Sequence, residues 1–174
     1  MNTLILHLGS NLGNRQENLE NAMPFIDQEL GEILGQSSVY ETQAWLGPNS
    51  ATLPKEVREQ APFLNITLKI SVSTSSMEAL NICMGIETKL GRVRKHKWGA
   101  RRIDIDLIFY NDEIINSAKL ILPHPWMQNR RFVLAPLAEM VPDWIHPVFK
   151  KTVLEILEDC QDEGRVEKLV SKFK

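Results

Sequence analysis

The chain has 174 residues, 43% apolar and 24% charged, which predicts one globular domain over residues 1–174 with a core large enough to need no disulfide staple. Twenty basic residues against twenty-two acidic ones leave a net charge of −2, which argues against nucleic-acid or anionic-membrane binding by the surface as a whole. No apolar run approaches the roughly 18 residues of a membrane span, the Met1-Asn2-Thr3 start lacks secretory character, and Cys83 and Cys160 read as reduced core thiols, so a cytoplasmic protein is expected.

Thr3–Leu8 is a short apolar run and predicts the first strand; the loop Gly9-Ser-Asn-Leu-Gly-Asn14 follows it. Leu19, Ala22, Met23, Ile26 and Leu30 recur at spacings of three and four, which predicts an amphipathic helix kinked at Pro24 and stopped by Gly31. Glu32–Glu41 reads as one continuous second strand, and Thr42–Pro62, rich in Pro, Gly, Asn and Ser, as a long loop. Phe63–Ser71 alternates, with Leu64, Ile66, Leu68 and Ile70 on one face and Phe63, Asn65, Thr67 and Lys69 on the other. Ser75 and Glu78 form a capping box that opens a helix running to about Leu90, closed by Gly91. Ile103–Tyr110 is the next strand, and one more helix is expected around Thr152–Asp159.

The order β-α-β-β-α-β is the split βαβ pattern. The expected class is therefore α+β, a ferredoxin-like βαββαβ core with both helices packed on one face of an antiparallel sheet, plus a C-terminal extension.

The chemistry concentrates in one place. Arg92, Arg94, Lys95, Lys97, Arg101 and Arg102 put six of the twenty basic residues between Gly91 and Ile103, which leaves the rest of the chain strongly acidic. Such a loop is either a solvated charge run or a grip on a polyanion. Next comes Ile103-Asp-Ile-Asp-Leu107, where a strand of period two turns Asp104 and Asp106 to the same face. Two carboxylates so placed repel and need a cation. Arg101 or Arg102 would serve as structural ion pairs; a hard divalent metal serves as well and leaves positions open for phosphate oxygens and water. No P-loop, dinucleotide fingerprint, nucleophile elbow or zinc pattern is present. A split βαβ domain that binds RNA, or a regulatory small-molecule domain, remains the alternative; the first requires basic residues spread over the sheet and the second leaves the paired aspartates unexplained.

Gly91-Arg-Val-Arg-Lys95, Trp98-Gly99, Arg101 and Ile103-Asp-Ile-Asp-Leu107 resemble the signature of the 6-hydroxymethyl-7,8-dihydropterin pyrophosphokinases of folate biosynthesis. Leu8-Gly-Ser-Asn-Leu12, Ser38-Val-Tyr-Glu-Thr42, Phe63-Leu-Asn65 and Leu122-Pro-His-Pro125 with Asn129, Arg130 and Phe132 agree with it in the same order. The resemblance implies a monomeric Mg²⁺-dependent diphosphotransferase that moves pyrophosphate from ATP to the pterin hydroxymethyl group and releases AMP. By position it implies two magnesium ions on Asp104 and Asp106, with Arg92 and Arg101 on the transferring phosphates. It implies ATP contacts from Glu87, Arg94, Lys95, Trp98, Leu107, His124 and Arg130. Thr42, Gln43, Leu46 and Asn65 fall at pterin-reading positions, Phe63 and Phe132 at ring-stacking positions, and Trp98 where a loop residue closes over the site. His7, His96 and His146 are read as ordinary structural histidines, and Trp45, Trp126 and Trp144 as packing or surface aromatics.

Overall fold

The computed structural model describes residues 1–47, 50–91 and 99–169. Strand β1 (Asn2–Ser10) is buried along nearly its whole length and pairs antiparallel with β4 (Phe63–Val72) on one side and β5 (Asp104–Tyr110) on the other. Helix α1 (Arg15–Glu29) starts at Asn14, whose side chain accepts the Glu17 N–H at 3.2 Å, and is a single span through Pro24. Helix α3 (Ser76–Lys89) carries the expected Ser75–Glu78 capping box, and Gly91 follows its C-terminus at φ 80°.

The expected second strand is two strands. β2 (Gly31–Gln36) and β3 (Tyr40–Thr42) both pair with β4, but three residues lie between Gln36 and Tyr40 while only two lie between their partners Leu68 and Asn65. The surplus residue falls in Ser37–Val39. There the Ser37 hydroxyl accepts the Thr67 N–H at 2.9 Å in place of a backbone carbonyl, and the ladder breaks. The 42–62 segment, expected to be pure loop, contains a short helix α2 (Lys55–Arg58). Beyond β5 lie a small hairpin, β6 (Ile115–Asn116) with β7 (Ile121–Leu122), then helix α4 (Arg131–Met140), helix α5 (Val153–Asp159) and a last strand β8 (Val166–Lys168).

The main sheet runs β5-β1-β4-β3-β8, with β2 also on β4, and every pair is antiparallel. Period two divides its residues between two cores. Leu4, Leu6 and Leu8 join Leu64, Ile66, Leu68 and Ile70 beneath α1 and α3, whose Leu19, Ala22, Ile26, Ala79, Cys83 and Ile86 are fully buried. On the other face Ile5 and Phe109 pack under Val133, Leu134 and Leu137 of α4 and Val153 and Ile156 of α5. Burying each such side chain stabilises the fold by about 1.5–3 kcal/mol. The sheet is thus covered on both faces, where the sequence led us to expect helices on one. α4 covers only part of the second face, and the functional cavity occupies the end it leaves open.

Gly31 is the tightest point of this frame. Its φ is +153°, and a Cβ there would sit 2.2 Å from the Ser71 carbonyl oxygen. Gly31→Ala is expected to destabilise the protein by about 1–3 kcal/mol, the range for a side chain forced into a sparsely allowed backbone region. An unchanged urea midpoint would show that the α1–β2 corner relaxes freely.

Candidate active site

Three neighbouring strands build the cavity. On β1, His7 and Gly9 face it; on β4, Phe63 and Asn65; on β5, Asp104 and Asp106. The register places His7 opposite both Thr67 and Asp106, and Gly9 opposite both Asn65 and Asp104. Alternation therefore gathers these polar groups at one end of one face, while their Leu and Ile neighbours point into the core. A Cβ on Gly9 would lie 2.9 Å from Asn65 Oδ1 and 3.4 Å from the Phe63 ring, so glycine is what leaves room for both.

Asp104 and Asp106 share this wall. Burial, then the neighbouring Asp104 carboxylate, push the pKa of Asp106 well above the usual carboxylate range, so a second negative charge here is costly. Arg101 forms an ion pair with Asp104. Across the cavity Arg130 is 8% exposed, its guanidinium 4.7 Å above the Trp45 ring and 5.8 Å from that of Phe132. His124 accepts the Trp126 N–H on Nδ1 at 3.2 Å. Burial, and next the Arg130 charge, lower its pKa to about 3. The ring is therefore neutral, and its Nε2 lies 3.5 Å from Arg130 Nη1.

The structure brings ten of the residues named from the sequence to one cavity. Thr42, Gln43, Phe63, Asn65, Arg101, Asp104, Asp106, His124, Arg130 and Phe132 surround one cavity. Leu46 lies beside it, in an adjoining recess with Gln43, Trp45 and Phe132. Leu107 borders a separate groove with Lys119, Leu120 and Ile121, which His124 and Asp106 also border. Glu87 is on neither wall: it is buried beneath β5 and accepts the Ile105 N–H at 2.8 Å, between the two aspartates. Arg92, Arg94, Lys95 and Trp98 lie outside the described residues.

Some wall residues were not singled out by the sequence. Trp45, read as packing, lies on the wall under Arg130, and His7, read as an ordinary structural histidine, is on it too. Asn11 ties the site's edges together. Its Oδ1 accepts the Arg101 N–H at 2.8 Å, its own N–H donates to the Arg101 carbonyl at 3.1 Å, and its Nδ2 donates to Gln60 Oε1 and to the Ala61 carbonyl at 2.9 and 3.0 Å. The Gly-Ser-Asn run after β1 was the available signal, since an Asn amide bonds backbone on both sides at a turn. β8 braces the opposite edge: it pairs with β3, and the Gln43 N–H donates to the Arg165 carbonyl at 3.1 Å.

The sequence model of the family described as 7,8-dihydro-6-hydroxymethylpterin-pyrophosphokinase matches residues 5–142. The chain belongs to this family. Proteins named 2-amino-4-hydroxy-6-hydroxymethyldihydropteridine pyrophosphokinase are among its relatives. That of a Synechocystis strain is 39% identical over 159 residues, 90% of this chain and 76% of the relative. That of Aquifex aeolicus is 38% identical over 155 residues, covering 89% and 90%. Among solved structures, wild-type Plasmodium falciparum HPPK-DHPS superposes with a TM-score of 0.69 at 18% identity, over 91% of this chain and 44% of that one, a likeness of fold.

In a pyrophosphokinase the strap between β1 and Arg101 has a direct consequence. Asn11→Ala removes acceptor and donors together, and a buried amide left unpaired costs about 1–3 kcal/mol. The variant is expected to unfold at lower urea and, because Arg101 is then held by one backbone bond instead of two, to turn over about tenfold more slowly at equal folded fraction. Unchanged turnover in the folded variant would show that Arg101 needs no such support.

Proposed function

We propose that Asp104 and Asp106 hold the divalent metal through which this pyrophosphokinase works, with ATP on the His124–Arg130 side and the pterin between Phe63 and Phe132. The reaction is that for which the family is named: the chain transfers pyrophosphate from ATP to the hydroxymethyl group of 6-hydroxymethyl-7,8-dihydropterin, in folate synthesis. The donor set suits magnesium. Two carboxylates share a buried wall with a raised Asp106 pKa, and among the described residues no cluster of three or more His, Cys, Asp or Glu closes a cage. A hard ion held by few protein oxygens completes its shell with phosphate and water. Two magnesium ions, when bound, supply charge neutralisation on the bridged phosphate oxygens.

The side chains supply the rest. Phe63 and Phe132 stack the flat heterocycle, while Asn65 and Thr42 read its hydrogen-bonding edge. The substrate hydroxyl oxygen bonds to the β-phosphorus as the bond from that phosphorus to the α,β-bridging oxygen breaks, and AMP leaves with that oxygen. Arg101, beside Asp104, follows the charge that develops on the transferring group. His124 and Arg130 donate to phosphate oxygens. Arg92 is assigned to the transferring phosphates, Arg94, Lys95 and Trp98 to ATP, and Glu87 to fixing the strand that carries the aspartates. The order β5-β1-β4, with β2 and β3 both on β4, supports a ferredoxin-like class for the core, followed by a C-terminal extension that ends in β8. A single-domain, cytoplasmic monomer fits this reading, and no helix among the described residues is long and apolar enough to cross a membrane. An RNA-binding role fits poorly, because the open sheet face carries Asp104 and Asp106 where phosphates would pass.

Asp104→Ala and Asp106→Ala are each expected to lose several orders of magnitude in AMP release at saturating Mg²⁺. Each removes a like-charge repulsion, so the unfolding midpoint of Asp106→Ala holds or rises, while Asp104→Ala also loses the Arg101 ion pair and gains less. Near-normal turnover in either variant contradicts the metal assignment. Arg101→Ala is expected to lower kcat by a larger factor than it weakens ATP-analogue binding, since a group that meets charge only in the transition state acts on kcat. Equal losses in both, measured by turnover and calorimetry, would make Arg101 a ground-state binder.

A further inference from the structure

His7 is a buried imidazole in the middle of a sheet whose neighbouring position, Ile5, is apolar, and both its ring nitrogens are engaged. Nδ1 lies 3.4 Å from Thr67 Oγ1 and Nε2 lies 3.2 Å from Asn65 Oδ1. Asn65 Nδ2 in turn donates to Thr42 Oγ1 at 2.6 Å. Asn65 and Thr42 are the two polar side chains assigned above to the heterocycle's edge, and both line the cavity with His7. The Phe132 ring is 5.7 Å from the imidazole, tilted by 58°.

The four groups form one directional chain. A carbonyl oxygen can only accept, so with the Asn65 amide in this orientation the His7 proton sits on Nε2. Nδ1 is then bare and accepts from the Thr67 hydroxyl. Asn65 Oδ1 is held toward β1 and its NH₂ toward Thr42, whose hydroxyl proton is left to donate into the cavity. Burial lowers the His7 pKa to about 4, so the ring stays neutral and keeps this polarity. An apolar residue at position 7 would leave the amide with nothing to distinguish its two orientations on the β1 side, and reversal exchanges the donor and acceptor that the amide presents to the ligand.

We propose that His7 is a positioning residue for the pterin: by donating to Asn65 Oδ1 it fixes which way the Asn65 amide faces and so sets the affinity and edge specificity of the pterin pocket. The inference rests on the reading of Asn65 as a pterin contact, and its test separates the two. The probe is 6-hydroxymethylpterin, titrated in the presence of Mg²⁺ and a non-hydrolysable ATP analogue, with the analogue's own affinity and the unfolding midpoint measured beside it.

His7→Leu is expected to weaken the pterin about tenfold, the effect of one buried hydrogen bond, and the ATP analogue by less than about twofold. His7→Gln, whose side-chain NH₂ can donate to the same oxygen, recovers most of the loss. The double variant His7→Leu/Asn65→Ala binds the pterin no more weakly than Asn65→Ala alone. If Asn65→Ala loses pterin affinity and His7→Leu does not, the imidazole is packing and the inference falls. Equal losses for pterin and nucleotide make His7 a general structural residue and overturn it as well. If Asn65→Ala itself binds the pterin normally, the reading of Asn65 fails and takes the inference with it. Should His7→Leu not fold, Thr67→Val interrupts the same chain one link earlier: a loss of about threefold confined to the pterin supports the inference, and no loss overturns it.

Discussion

Two carboxylates on one buried strand face repel each other, and the arrangement of the cavity follows from how that repulsion is met. Asp104 and Asp106 are next-but-one neighbours on β5, pointing to the same side. Arg101 pairs with the first, and the Arg130 charge favours the ionised form of Asp106. Neither arginine removes the problem, since the Asp106 pKa remains raised. A wall whose carboxylates stay in conflict favours a further positive charge beside them.

The scaffold makes that wall possible by spending its apolar residues elsewhere. Strands β1, β4 and β5 are adjacent and antiparallel, so alternation alone sends their leucines and isoleucines to the α1–α3 core and their polar residues to the opposite face. Helices α4 and α5 then seal the far end of that second face around Ile5 and Phe109. Glu87 reaches from α3 through the core side to hold the Ile105 N–H, which fixes the strand between its two aspartates. Asn11 holds Arg101 from the β1 loop. The aspartate wall, Arg101 and the Asn65 amide are thus each fixed from a different element, which is how a site keeps its geometry to a fraction of an ångström.

Much of this could be read from the residues. The strict alternation of Phe63–Ser71 and of Ile103–Leu107, and the Ser75–Glu78 capping box, are local signals whose structural result depends on nothing distant. What escaped depends on tertiary context. The break between β2 and β3 comes from a Ser37 hydroxyl that substitutes for a carbonyl, which no periodicity records. α4 has its apolar residues at Val133, Leu134 and Leu137, but Pro136 within it and the turn-rich stretch before it conceal the pattern. His7 and Trp45 resemble core residues because they are largely hidden; only the registers of β1, β4 and β5 reveal that what hides His7 is the wall of a cavity.

The central claim is that the Asp104–Asp106 pair is a metal platform. Its most direct test is a crystal of the protein grown with Mn²⁺ and a non-hydrolysable ATP analogue, measured at the manganese absorption edge. The account predicts two anomalous peaks about 3.5–4 Å apart, each within bonding distance of both an aspartate oxygen and a phosphate oxygen. Well-ordered nucleotide with no anomalous peak at either aspartate would contradict it.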